Sequence, residues 1–114
     1  MFKYFTLEEF ACKHTGKNEI DVNFVHSLDE LRSACGFPFT ITSGYRDITH
    51  PAEARKSKGG VHTAGIAADI AVSNGIERAT IIRNAIELGF NGIGVAKGFI
   101  HVDKRDLPQV VWTY

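Results

Sequence analysis

The sequence is poor in cysteine and carries no excess of either charge. Only Cys12 and Cys35 are cysteines among the 114 residues, and lysine plus arginine equals aspartate plus glutamate at 13 each. Two cysteines are too few for a disulfide framework, so we expect both to be reduced thiols. A net charge near zero argues against nucleic acid or an anionic membrane surface as the main partner.

Long apolar segments are also missing. No run approaches the roughly 20 apolar residues of a membrane-spanning helix, so we expect no membrane insertion. The opening MFKYFTLEEF contains two acids and lacks the apolar core of a signal peptide. We therefore expect a protein that is made in the cytoplasm and needs another exit route to work outside it. The length suits one domain over residues 1–114, and we expect it to be a monomer.

Periodicity and turn residues predict an α+β fold. A capping box predicts a short helix after Thr6, and apolar steps of three and four residues predict helices at 22–35 and 76–88. In the last helix, the residues expected on the inner face are Ile76, Ala79, Ile82, Ala85 and Ile86. Short strands are predicted at residues 39–42, 67–72, 92–97 and 99–104, with an edge strand or an extended segment in the tail after Pro108. Helices come first and strands cluster later, which favours a mainly antiparallel sheet with flanking helices.

The residues with the most chemistry lie on or beside two of these strands. His62 and Asp69 bracket the otherwise bland segment HTAGIAADI, and a second strand reads FIHVD. Because side chains alternate across a strand, His101 and Asp103 share the face opposite the core residues. Two histidines and a carboxylate suit a catalytic zinc site, where three protein ligands leave the fourth position to water. Zinc lowers the pKa of that water to about 7 and polarises a carbonyl group.

The spacing of these residues does not by itself decide for zinc. It differs from the helical HExxH arrangement, in which both histidines lie one turn apart. On the residues alone, the histidines can instead be structural or exposed, and Asp69 can cap a neighbouring stretch of backbone.

The order of the motifs resembles a known family. The tetrapeptide SGYR (43–46), the pattern GG-x-H-x-x-G-x-A-x-D-I (59–70) and FIHVD-x-R (99–105) are similar to the zinc D-Ala-D-Ala peptidases of the M15 group. That group includes small phage endolysins, and its fold is shared with the hedgehog signalling domain. The opening FTLEEFACK and the helix at 22–35 also resemble the family, so the resemblance covers nearly the whole chain.

The resemblance implies a zinc peptidase that acts on peptidoglycan. His62, Asp69 and His101 would hold Zn²⁺, and zinc-activated water would cut a stem peptide. Arg46 would bind a carboxylate or carbonyl of the substrate, for which guanidinium offers a planar fork, unless it is an ordinary surface arginine. Ser43 and Tyr45 are expected to line the same wall. The cleaved bond stays open between D-Ala-D-Ala carboxypeptidase, cross-link endopeptidase and L-Ala–D-Glu cleavage.

The proton-transfer residue is where this sequence departs from the family pattern. Many M15 enzymes have an acid a few residues before the last zinc histidine, whereas residues 93–100 carry none. Asp103 is the candidate replacement, as a catalytic base two residues after His101. It can instead orient a zinc ligand or pair with Arg46 or Arg105.

Other functions therefore remain open beside the peptidase. The first is a catalytically inactive zinc module for cell-wall binding or phage assembly, and the second is a phage structural protein in which zinc only stabilises a small core. If the chain is active, its size and lack of a signal suit a phage or prophage endolysin released by a separate protein. Trp112 and Tyr114 are expected either to stack on a substrate peptide or to cover the core or a sheet edge.

Overall fold

Five strands form one sheet in the computed structural model, which describes residues 2–51 and 60–114. The strands are β1 (Ile41–Ser43), β2 (Ala67–Ala71), β3 (Gly92–Val95), β4 (Phe99–Asp103) and β5 (Val110–Thr113). Their order is β1-β2-β4-β3-β5, and all neighbours are antiparallel except β3 and β5, which run parallel. The predicted α+β class with a mainly antiparallel sheet is confirmed, and the tail supplies the predicted edge strand.

The helices begin and end at residues that satisfy their free backbone groups. A 3₁₀ helix spans Leu7–Phe10, and the α-helices are α1 (Val22–Cys35) and α2 (Gly75–Glu87). The Asp21 carboxylate accepts hydrogen bonds from two N–H groups in the first turn of α1, and Gly36 ends this helix with φ at 78°. No helix in the described part of the chain is long and apolar enough to cross a membrane.

The hydrophobic core lies between the helices and one face of the sheet. It includes Leu28 and Leu31 from α1, and Ile100 and Val102 from β4, all fully buried. Because side chains alternate along β4, Phe99, His101 and Asp103 project from the opposite face. The fold thus separates an apolar face, which stabilises the protein, from a face that holds the histidine and carboxylate groups.

The orientation of α2 differs from the prediction. Ile76 is 80% exposed and Ile86 is 43% exposed, whereas Ile81 and Ala85 are fully buried. The helix packs on α1 and β4, and this narrow contact covers a stripe centred on Ile81. The predicted inner face was therefore right at Ala85 but wrong at Ile76, Ala79 and Ile86, which are exposed.

Candidate metal centre

The three predicted metal ligands meet on the polar face of the sheet. Asp69 on β2 lies directly opposite His101 on β4 in the antiparallel register. His62 enters from the turn that precedes β2. All three side chains are buried, and one ligand atom from each lies within 4.8 Å of the others. These three side chains, His62, Asp69 and His101, are called the metal group below, and their spacing and composition suit a metal ion.

The ring of His62 is fixed so that a nitrogen lone pair faces Asp69. Its Nδ1 lies 2.8 Å from the carbonyl oxygen of Gly44, which can only accept, so Nδ1 carries the hydrogen. Its Nε2 is buried, has no hydrogen-bond partner among the described residues and lies 3.3 Å from Oδ1 of Asp69. Two acceptors facing each other in a buried site repel, and a cation between them removes the repulsion.

The His101 ring is also held by an acceptor at one nitrogen, while its other nitrogen faces Asp69. Its Nε2 lies 2.6 Å from Oδ2 of Asp103, and its Nδ1 lies 3.0 Å from Oδ1 of Asp69. Burial lowers the pKa of His101, but the bonds to Asp103 and Asp69 outweigh burial and raise it above the ordinary value. The two carboxylates thus favour the positively charged form of the His101 ring. If His101 is neutral with its hydrogen on Nε2, Nδ1 has a lone pair for a metal ion.

Asp69 supplies the negative charge at the centre of the group. Burial alone would raise the pKa of its carboxyl, but the hydrogen bond to His101 and the nearby His62 ring hold the pKa well below its usual range. Its second oxygen, Oδ2, lies 3.4 Å from Nη2 of Arg46. An ionised carboxylate with two imidazole nitrogens is a donor set that zinc accepts. The orphaned Nε2 of His62 is the observation that such an ion explains best.

The SGYR segment supports this group from the end of β1. The Gly44 carbonyl holds His62, and Ser43 Oγ accepts a hydrogen bond from Arg46 Nε at 3.1 Å. The Tyr45 hydroxyl donates to Glu19 at 2.9 Å, and burial together with Glu19 raises the pKa of Tyr45 to about 12. Tyr45 thus anchors the segment, while Arg46 and Ser43 face the metal group. Their roles in substrate binding stay predictions.

Asp103 is fully buried behind His101. Besides the bond to His101, its carboxylate accepts three hydrogen bonds from Arg105: from the backbone N–H at 3.0 Å, from Nε at 2.9 Å and from Nη2 at 2.8 Å. Burial would raise the pKa of Asp103, but His101 and Arg105 keep it well below its usual range. Of the two roles left open by the sequence, these contacts favour orientation of a ligand. The role as catalytic base stays a prediction.

A comparison with protein families identifies the family of this chain. The family model described as Peptidase M15 matches residues 3–103. The chain belongs to the peptidase M15 family. The predicted membership of the M15 group is thereby confirmed, and the matched range includes Arg46 and every residue of the metal group. Gly59, part of the motif, lies outside the described residues. A search of curated proteins finds no match to this M15 chain.

The polar face of this M15 chain also depends on β3, which the sequence reasoning overlooked. Gly92 lies opposite Asp103, and Gly94 lies opposite His101. A Cβ added to Gly92 would overlap the Asp103 carboxylate, and one added to Gly94 would lie 2.8 Å from the Trp112 indole. The alternating glycines of GIGV, directly before the histidine strand, were the available signal for this close approach.

Two cavities flank the metal group of the M15 chain. One of about 310 Å³ lies toward β1 and the N-terminal loop, and the other of about 400 Å³ lies toward β5. Arg46 lines both. In the second cavity, the Trp112 ring packs on His101 with ring centroids 5.0 Å apart, and Tyr114 stands beside it, 70% exposed. Trp112 therefore packs on a predicted metal ligand as well as lining the cavity.

Proposed function

We propose that this M15 chain is a zinc metallopeptidase that hydrolyses peptide bonds in the stem peptides of bacterial peptidoglycan. The observation that carries the proposal is the buried group of His62, Asp69 and His101, in which the lone pair of His62 Nε2 faces a carboxylate oxygen. Membership of the M15 family supports hydrolysis of a peptide bond. The peptidoglycan substrate is supported by the resemblance of the motifs to D-Ala-D-Ala peptidases.

Different side chains have different roles in the proposed reaction. A bound zinc ion would supply Lewis acidity, which would make water a nucleophile near neutral pH and polarise the scissile carbonyl. His62, Asp69 and His101 would hold the ion, while the Gly44 carbonyl fixes one imidazole and Asp103 fixes the other. Arg46 lines both cavities and is placed to hold a carbonyl or carboxylate of the peptide beside the ligand group.

The setting that we propose is a phage or prophage endolysin that works as a monomer. Such a protein is made in the host cytoplasm and reaches the cell wall after a separate protein opens the membrane. The support for this setting is the resemblance to the small endolysins of the M15 group. Its partner would be the stem peptide of the wall, bound across the two cavities.

One observation favours an inactive zinc module for wall binding or phage assembly as the second candidate. Asp69 is the only acid among the described residues that line the two cavities, and it is a predicted metal ligand. Asp103 already accepts four hydrogen bonds from His101 and Arg105. A carboxylate has about four acceptor positions, so Asp103 has no position left for a water molecule.

The test is digestion of purified muropeptides by the zinc-loaded protein, read by mass spectrometry. We expect a product that lacks one alanine, or a split cross-link, and its mass names the bond. The product should disappear with a chelator and in His62→Ala, but remain in His26→Ala, which changes an exposed histidine on α1. Zinc bound one to one without any product would refute the peptidase and support the binding module.

A further inference from the structure

The cavity on the β1 side of the metal group has a basic lining. We call it the basic cavity, and it is lined among others by Lys13, Thr42, Ser43, Arg46, His50 and Asp69. Three of these six side chains are basic: Lys13 comes from the N-terminal loop, and Arg46 and His50 come from the segment that follows β1. A volume of about 310 Å³ is at the lower end of the size of small-ligand sites, so it suits one residue of a peptide.

Lys13 is the lysine of this cavity, and its charge is not balanced by an acid among the described residues. Arg46 lies beside the Asp69 carboxylate, at 3.4 Å. Lys13 makes no ion pair with any described residue, whereas Lys17 of the same loop lies 3.8 Å from the Asp47 carboxylate. A lysine at a cavity wall without an internal anion is complementary to an anion brought by a ligand.

The cavity on the other side of the metal group also carries basic and aromatic side chains, but its added cation is already paired. Its lining includes the rings of Trp112 and Tyr114 and the Arg105 guanidinium, which is bound to Asp103 and lies over the Trp112 ring. The two cavities therefore differ in that the charge of Arg105 is matched by an internal carboxylate, whereas Lys13 has no ion pair with a described residue. A substrate that crosses the metal group is expected to place its anionic part on the Lys13 side.

We propose that the basic cavity binds a carboxylate of the substrate and that Lys13 determines specificity for the acid over its amide. This inference rests on the proposed peptidase function and names the substrate class: stem peptides with a free carboxylate next to the scissile bond. The carboxylate can be the C-terminus or the side chain of an acidic residue. Lys13 acts in binding, so its removal should change KM and leave kcat nearly unaltered.

The experiment uses two pairs of synthetic stem peptides with the zinc-loaded protein. In one pair the C-terminus is a carboxylate or a carboxamide, and in the other the acidic side chain is free or amidated. We expect the wild type to prefer the acid in one pair by about tenfold in kcat/KM, the range of a hydrogen bond to a charged group. Lys13→Gln should raise KM for that acid by about tenfold and leave its amide unchanged. Lys17→Gln is the matched control and should behave as the wild type.

The outcome also separates this inference from the proposed function. Cleavage without preference in either pair, or an equal loss for acid and amide in Lys13→Gln, would overturn the role of Lys13 while the peptidase stands. If no peptide is cut, NMR titration of the same peptides into the zinc-loaded protein decides. An acid preference that Lys13→Gln removes supports the basic cavity in a binding module, and no preference overturns it.

Discussion

At the scale of single residues, Asp103 controls which nitrogen His101 presents to the metal group. Its carboxylate lies 2.6 Å from Nε2, so a neutral imidazole keeps its hydrogen there and turns the lone pair of Nδ1 toward Asp69. Arg105 fills the remaining acceptor positions and holds the carboxylate in place. Because the His101 ring is already held in place, it loses less rotational freedom when it binds a metal ion.

Asp103→Asn separates the two roles that the sequence left open for this residue. Asparagine keeps the shape of the side chain but removes the charge that polarises the His101 imidazole. We expect the dissociation constant for zinc, measured by competition with a chromophoric chelator, to rise by roughly 10- to 100-fold. At saturating zinc, kcat should stay within a few-fold of the wild type.

The opposite pattern would make Asp103 the catalytic base. In that case the zinc affinity would be retained and kcat would fall by about 10²- to 10⁴-fold. Asp106→Asn, which changes an exposed aspartate three residues later, is the control for the loss of a negative charge and should alter neither quantity.

At the scale of secondary structure, β3 leaves space for the side chains around His101 on the neighbouring strand β4. Gly92 makes room for the Asp103 carboxylate, and Gly94 makes room for the Trp112 ring, which packs on His101. Both glycines lie on the same face of the strand. This face has no side chains at the two positions, so the Asp103 carboxylate and the Trp112 ring can both reach His101 there. The edge strand β5 then brings Trp112 over that surface.

Gly92→Ala tests this use of β3. The new methyl group would overlap the Asp103 carboxylate, so either the carboxylate or the strand must move. We expect the free energy of unfolding to fall by about 1–3 kcal/mol, as for other overpacked sites, and the zinc affinity to fall with it. Gly98→Ala is the control, because an added Cβ there meets nothing within 4 Å. Chemical denaturation and zinc titration of both variants provide the comparison, and equal behaviour of the two variants would contradict the role of Gly92.

The sequence predicted these elements better than it predicted how they meet. The caps at Asp21 and Gly36 are local signals, and alternation along FIHVD correctly assigned the two faces of β4. The pairing of Asp69 with His101 depends on the register between β2 and β4, which is set by long-range contacts. The Gly44 carbonyl that holds His62 could not be foreseen either, because any residue supplies a backbone carbonyl.

At the scale of the whole molecule, the metal group and the hydrophobic core are separate parts of the structure. The core is built from apolar side chains of both helices and of the sheet, and none of the metal-group residues belongs to it. The metal group joins a turn, two strands and the end of β1 on the opposite face. We therefore expect the protein to fold without zinc and to gain stability when zinc binds, unlike small domains that unfold without metal.

This separation leads to a prediction for the stability of the metal-free protein. After chelation we expect near-UV circular dichroism to retain a folded signal at 25 °C, with a single cooperative thermal transition. Zinc at about 100 times its dissociation constant stabilises a folded state by about 2.7 kcal/mol, which for a chain of this length raises Tm by roughly 10 °C. His62→Ala should remove most of this increase because it deletes one of three ligands, whereas His26→Ala should keep it. Loss of the folded signal on chelation would instead show that the metal is needed to hold the core together, as in the structural-protein alternative.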